Sequence, residues 1–384
     1  MNDYQDIVSQ EYSELKSTYL NAAYFGPSPK RCKTYVEKSL KHEIDPSFAP
    51  YLDWYERPEK SRQLFANILG VSKENIFHTC SVSDVNNLII HSLPKDKQHH
   101  VVVIDKDYPS NVLPFMLAET RYQNIKFTKI SLGQEIIPNS KWLAANLPKD
   151  TSIFCCSWVT FDSGKKIDLI DIGNFLRSRN IKFILDATQG LGGLKLGPEE
   201  INLVDAVSCA SYKWLLGPYG HAFGYIAPKL MAELKHPNGN WITSKNSSVV
   251  NSLLNYTTET LPGARCFDRG QTANLLTISC LEGALEFISE IGLENIQNHN
   301  KKLVNYFNQN FPKENFDRIT PIDFSGNIIC LRGKNIDSLQ LELDLKDRDI
   351  DVSIREGNIR ISFHIYNSLA QVDYLLNTLH SQQN

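Results

Sequence analysis

The chain has 384 residues, enough for two domains or for one large domain with an appendage. Hydrophobic residues make up 42% and charged residues 22% of it, the composition of an ordinary globular protein, and a formal net charge of −3 gives no electrostatic case for nucleic acid or an acidic membrane surface. No apolar run reaches the roughly 18 residues of a membrane span, and the amino-terminal MNDYQDIVSQEYSELK is too polar and acidic for a targeting peptide.

From about residue 60 to 230, helix-like and strand-like runs alternate. The segments 57–70, 83–92 and 168–179 carry helical periodicity, whereas Val101–Ile104, Ile153–Ser157, Phe183–Leu185 and Ala206–Cys209 are short and apolar throughout. Strands without alternation belong to a parallel sheet covered on both faces, so the fold expected is a doubly wound, mainly parallel α/β domain. A turn-rich stretch at 235–240 closes it. A long helical pattern from about 272 to 290, the strand-like FSGNIICLRG and NIRISFHI, and a last amphipathic helix near 368–379 then predict a smaller α+β domain. The expected division is 18–255 for the large domain and 256–384 for the small one, with residues 1–17 packed beside it.

The eight cysteines contain no CxxC pair, and several sit inside apolar runs, as Cys155, Cys156 and Cys209 do. That usage fits reduced thiols in the cytoplasm; the ten histidines show no ligand-like spacing, and no metal site is expected.

Two apolar runs turn polar only at their carboxyl ends, ILDATQG at Asp186 and SCASYKWLLGPYG at Lys213. Ligands of open α/β sheets bind beyond the carboxyl ends of parallel strands, so an acid and an amine are both delivered there. A pyridine cofactor bearing an aldehyde needs that pair, an acid to keep the ring nitrogen protonated and a lysine to form a Schiff base. Taken alone, Asp186 could instead hold loop backbone, and Lys213 could snorkel along an apolar surface.

Further candidates follow the same logic. The turn Thr79–Ser83 opens a helix and so points backbone N–H groups at an anion, although an ordinary N-cap reads the same way. Tyr108, directly after the strand VVVID, could stack on a flat ring. Arg360, between isoleucines, could clamp a carboxylate or make a cross-strand ion pair. The glycines at 190–193 do not make a dinucleotide fingerprint, because the third position falls on Lys195 and no helix opens there.

In their order and spacing, Asn21-Ala22-Ala23, the Ser81–Asp84 turn, DYPSN, SWVTFDSG, DATQG, SYKWLLGPYG, FDRGQTAN and RISFHIYN resemble the class V aminotransferase family, the branch of fold-type I pyridoxal-phosphate enzymes that includes cysteine desulfurases and isopenicillin-N-epimerase-like and kynureninase-like proteins. The resemblance implies pyridoxal phosphate as cofactor, Lys213 as the Schiff-base lysine and Asp186 as the partner of the ring nitrogen. It further implies that Gln189 faces the phenolic oxygen, Tyr108 stacks on the ring, Val82, Ser83 and Tyr212 contact phosphate, and Thr160 lines the ring edge. Arg360 then holds the substrate α-carboxylate near Asn21 and Ala23, and Gln271 and Thr272 complete the phosphate site across a homodimer.

One departure bears on the reaction. Residues 343–360, where desulfurases carry a nucleophilic cysteine, hold none, and the nearest upstream, Cys330, lies in an apolar run. The expected activity is an aminotransferase, with a C–S (β-elimination) lyase or an epimerase as alternative. A catalytically silent binding module of the same fold has no need of Asp186, Lys213 and Arg360 together.

Overall fold

The structure, a computed structural model, describes residues 4–48, 53–133, 135–235, 239–247, 253–271, 274–324 and 326–382. A short strand, β1 (Thr18–Tyr19), precedes the large sheet. That sheet is built from β2 (Ile76–Thr79), β3 (His99–Ile104), β4 (Ile125–Ile130), β5 (Ile153–Ser157), β6 (Lys182–Asp186), β7 (Ala206–Ala210) and β8 (Ala222–Ile226). Their order across the sheet is β2-β8-β7-β6-β5-β3-β4, and only the pairs made by β8 are antiparallel. Every residue of β2, β3, β5, β7 and β8 is buried, as expected of strands covered by helices on both faces.

The helices read from periodicity are observed at Asp53–Leu69, Val82–Ser92, Leu169–Ser178, Leu275–Ile291 and Leu369–His380. Strand β4 has no counterpart in the sequence reading. It is the outer strand of the sheet, and all its residues but Ile125 are partly or fully exposed, so it lacks the apolar run that marks the inner strands. The helices Arg31–Ile44 and Pro109–Arg121 were likewise not expected; the second starts with proline in its first turn and holds Pro114 in its interior.

One core lies on the sheet face that carries Phe65, Phe183, Trp214 and the helix Leu275–Ile291, and a second lies on the other face around Phe77, Val85, Leu88 and Phe115. A third fills the space behind the small sheet, which is formed by β9 (Phe316–Arg318), β10 (Ile328–Gly333), β12 (Ser353–Arg355) and β13 (Asn358–Ser362) in the order β12-β13-β10-β9. Between β10 and β12, the two-residue strand β11 (Ile350–Asp351) pairs in parallel with β1. Leu20 N donates to Asp351 O (2.9 Å) and Ser362 N donates to Leu20 O (2.8 Å), so the amino-terminal segment is stitched to the small sheet. Among the described residues, no helix is long and apolar enough to cross a membrane.

A buried ion pair ties the first strand of the large sheet to the segment that precedes the long helix. The Arg62 guanidinium donates to both oxygens of Asp268 (3.2 and 2.6 Å) and to Ile76 O (2.6 Å), while His78 N donates to Asp268 Oδ1 (2.7 Å). Removing one partner of such a pair leaves a desolvated charge, so Asp268→Ala is expected to cost about 3–5 kcal/mol. The loss is read as a lower urea midpoint for unfolding.

Candidate active site

Strands β6 and β7 are parallel neighbours, with Asp186 in register with Ser208. The first ends on Asp186; the second ends on Ala210, and Lys213 follows in the next turn. Both side chains line one cavity of about 280 Å³, together with Tyr108, Gln189, Tyr212 and the Cys80–Val82 turn. The acid and the amine therefore meet in a single site, as their places after two apolar strands imply.

Asp186 is 5% exposed and Lys213 is 6% exposed, yet the two form no ion pair. Asp186 Oδ2 accepts from Asn111 Nδ2 and Oδ1 accepts from the backbone N of Thr188, at 3.0 and 2.9 Å. Among the described residues no cation pairs with this carboxylate, which suits a site built for a positively charged ring nitrogen. Lys213 Nζ lies 5.3 Å from the Tyr108 ring centroid and 5.5 Å from that of Tyr212. Burial brings its ammonium down to about 8, while the Asp186 charge acts in the opposite direction.

A framework that sequence reading missed holds Asp186 in place. Asn111 Nδ2 also donates to Ser157 Oγ (3.0 Å), and Ser157 donates through N and Oγ to the two oxygens of Asp107 (2.8 and 2.5 Å). Asp107 is pushed up to about 6 by burial, against the hydrogen bonds from Ser157 and Tyr108. These residues lie at the carboxyl ends of β3 and β5, where the strand order reverses and a crevice opens. Nothing in the local sequence around Asn111 or Ser157 signals a partner so far along the chain.

The other expected residues divide by position. Gln189 lines the cavity, its Nε2 donating to Ala23 O and its Oε1 accepting from Trp214 Nε1, both at 3.0 Å. Val82 lines the cavity at the start of its helix, whose N-cap is Ser81; Ser83, the next residue along, is not part of the lining. Thr160 lines a neighbouring cavity and bonds to Ser163 (2.9 Å), separated from Lys213 by the shared wall at Ser157 and Phe161. Asn21 is turned to Val352 O (3.1 Å), and Ala23 reaches the site only through Gln189. Gln271 is exposed in a turn with φ of 66° and does not line the cavity; Thr272 lies outside the described residues.

Arg360 is 1% exposed in β13 and donates from one terminal nitrogen to Phe161 O (2.7 Å), a residue of the cavity wall. Its Nε and second terminal nitrogen are buried without an acceptor. A guanidinium held this way is short of an anion, so the structure fits the carboxylate-binding role better than a cross-strand ion pair. Gly26 presses on the opposite side of the lysine loop: its N donates to Tyr212 O (2.8 Å), and a Cβ there would stand 1.9 Å from Lys213 O.

The residues at hand thus supply an acid, an amine, flanking aromatic rings and a helix N-terminus around one cavity, which together fit a phosphate-bearing pyridine aldehyde. In the cofactor-free protein, modification of Lys213 by an amine-selective reagent is expected to accelerate as pH rises through about 8. Asp186→Asn removes the charge that favours the ammonium, so the midpoint moves lower; peptide mapping across pH reads both shifts.

The family model for aminotransferase class-V matches residues 50–375. An uncharacterized aminotransferase of Schizosaccharomyces pombe is 26% identical over 85% of this chain and 82% of its own length. A probable cysteine desulfurase of Borreliella burgdorferi is 25% identical over 82% of this chain and 78% of its own. Among solved structures, the cystine C–S lyase C-DES in complex with cysteine persulfide superposes with a TM-score of 0.86 at 16% identity, covering 98% of this chain and all of that one (100%). The cysteine desulfurase of Thermococcus onnurineus superposes with a TM-score of 0.82 at 18% identity over 99% and 98% of the two chains. With its sheet order, its acid–amine cavity and a family match that spans most of its length, the chain belongs to the class V aminotransferase family.

Proposed function

We propose that the protein is a pyridoxal-phosphate-dependent aminotransferase acting on an amino acid, with Lys213 as the residue that carries the cofactor. The observation that carries this reading is a buried carboxylate and a buried amine lining one cavity without pairing with each other. When bound, pyridoxal phosphate supplies an aldehyde that condenses with amines and a ring that withdraws electrons from the substrate α-carbon.

The chain's own residues do the rest. Asp186, oriented by Asn111 and Thr188, holds the proton on the ring nitrogen. The backbone N–H groups at the N-terminus of the helix Val82–Ser92 would hold the phosphate, and the rings of Tyr108 and Tyr212 would keep water from the flanks of Lys213. Arg360 fixes the substrate carboxylate, which orients the α-proton toward Lys213 Nζ. Burial brings its ammonium down to about 8, so the neutral amine that can take that proton is far more accessible near neutral pH than for an exposed lysine. Where the proton is returned decides between transamination and epimerisation.

A C–S lyase is the second reading, favoured by the probable cysteine desulfurases among the relatives. Loss of a β-substituent needs no protein thiol. Cys330 does not offer one: its Sγ is buried against Asp162 O (3.2 Å), and burial pushes its thiol up to about 12. A homodimer, which the family resemblance implies, and a cytoplasmic location, in keeping with eight free cysteines, complete the proposal.

The purified protein is expected to be yellow, and an amino acid is expected to change its absorbance. Lys213→Ala should leave no borohydride-trapped cofactor on the chain and lower turnover by about 10²–10⁴-fold, the usual contribution of a positioned general base. Trapped cofactor on the variant, found by mass spectrometry, overturns the assignment.

A further inference from the structure

The small sheet carries a second arginine that the reading above does not use. In the hairpin β12–β13, Ser353 pairs with Arg360 and Arg355 pairs with Asn358. Residues opposite one another on antiparallel strands share a face, so Arg355 and Arg360 are diagonal neighbours on one side of the sheet, roughly 7 Å apart. The Arg355 guanidinium lies over Tyr24, 5.9 Å from the ring centroid, and donates to Ile354 O (2.6 Å). Tyr24 directly follows Ala23, whose carbonyl holds Gln189 in the cavity wall.

Neither arginine forms an ion pair among the described residues. Arg360 keeps two nitrogens without acceptors, and the buried hydroxyl of Ser353, directly across from it, is also unpartnered. Burial and then the charge of Arg355 hold Arg360 down to about 10; Cys330 and Asp162 act the other way without pairing with it. Like charges on adjacent sheet positions repel, so this arrangement lacks more negative charge than a single carboxylate brings.

We propose that Arg355 and Arg360 together select an amino acid whose side chain ends in a second anion. Arg360 takes the α-carboxylate, and Arg355, braced on Tyr24, takes a side-chain carboxylate or sulfinate. The inference rests on the assignment of Arg360 to the α-carboxylate and deepens the reading of the site.

The test uses the holoenzyme and two unreactive acids of equal chain length, glutarate and valerate, titrated by calorimetry. Glutarate is expected to bind about tenfold more tightly, the share of one partly desolvated charge pair. Arg355→Gln should bring the ratio to near unity while leaving valerate unchanged, and Arg360→Gln should weaken both. Equal affinities in the unaltered protein, or a preference that survives Arg355→Gln, overturn the inference. Absorbance titrations with aspartate, glutamate, cysteine sulfinate and cystine against alanine then identify which second anion is accepted. A response to alanine equal to that of every diacid sinks this inference alone; no amino-acid response at all sinks the proposed function.

Discussion

The architecture depends on keeping a carboxylate and an amine buried in one cavity without letting them neutralise each other. Asp186 ends one strand and Lys213 lies in the turn that follows its parallel neighbour, so the sheet brings both to the same edge. Two neutral donors, Asn111 and the Thr188 amide, satisfy the carboxylate, and two aromatic rings flank the amine. Each group therefore stays available to an incoming molecule. The direct ion pair would be the easier way to bury both charges, and its absence is what distinguishes a working site from a structural one.

This arrangement is held by a set of hydrogen bonds. The Asp107–Ser157–Asn111 chain runs across the crevice between β3 and β5, and Gln189 is clamped between Ala23 and Trp214. A side chain fixed at both ends loses little further freedom when a ligand arrives, so the orientation of Asp186 and Gln189 is set before binding. The arginines of the small sheet are held differently. Arg360 is fixed by a single carbonyl, with two of its nitrogens unpartnered, and Arg355 by a ring face and the carbonyl of Ile354.

Much of this was legible in the chain because burial on both faces leaves a plain signature. The inner strands are uninterrupted apolar runs, and a polar residue at the end of such a run must either be paired or functional; Asp186 and Lys213 stand out for that reason. The outer strand Ile125–Ile130 escapes the same reading because it is mostly exposed. Asn111 and Ser157 escape it for another reason: their importance lies in hydrogen bonds to residues 75 and 50 positions away, which no local pattern encodes. Arg355 looks like an ordinary surface cation until strand pairing sets it beside Arg360. Thr160, which family likeness places at the ring edge, bonds to Ser163 within its own turn beside the wall that the two cavities share.

The stitching of the segment 18–26 sets an order of assembly. Ala23 N donates to the hydroxyl of Ser362, 339 positions away, and Gly26 leans on the backbone of Lys213. During synthesis the large sheet can form while these early residues still lack the strands that receive them. Contacts of such high sequence separation form late. The wall that Ala23 and its neighbours give the lysine pocket is therefore anchored only once Ser362 has been added to the chain.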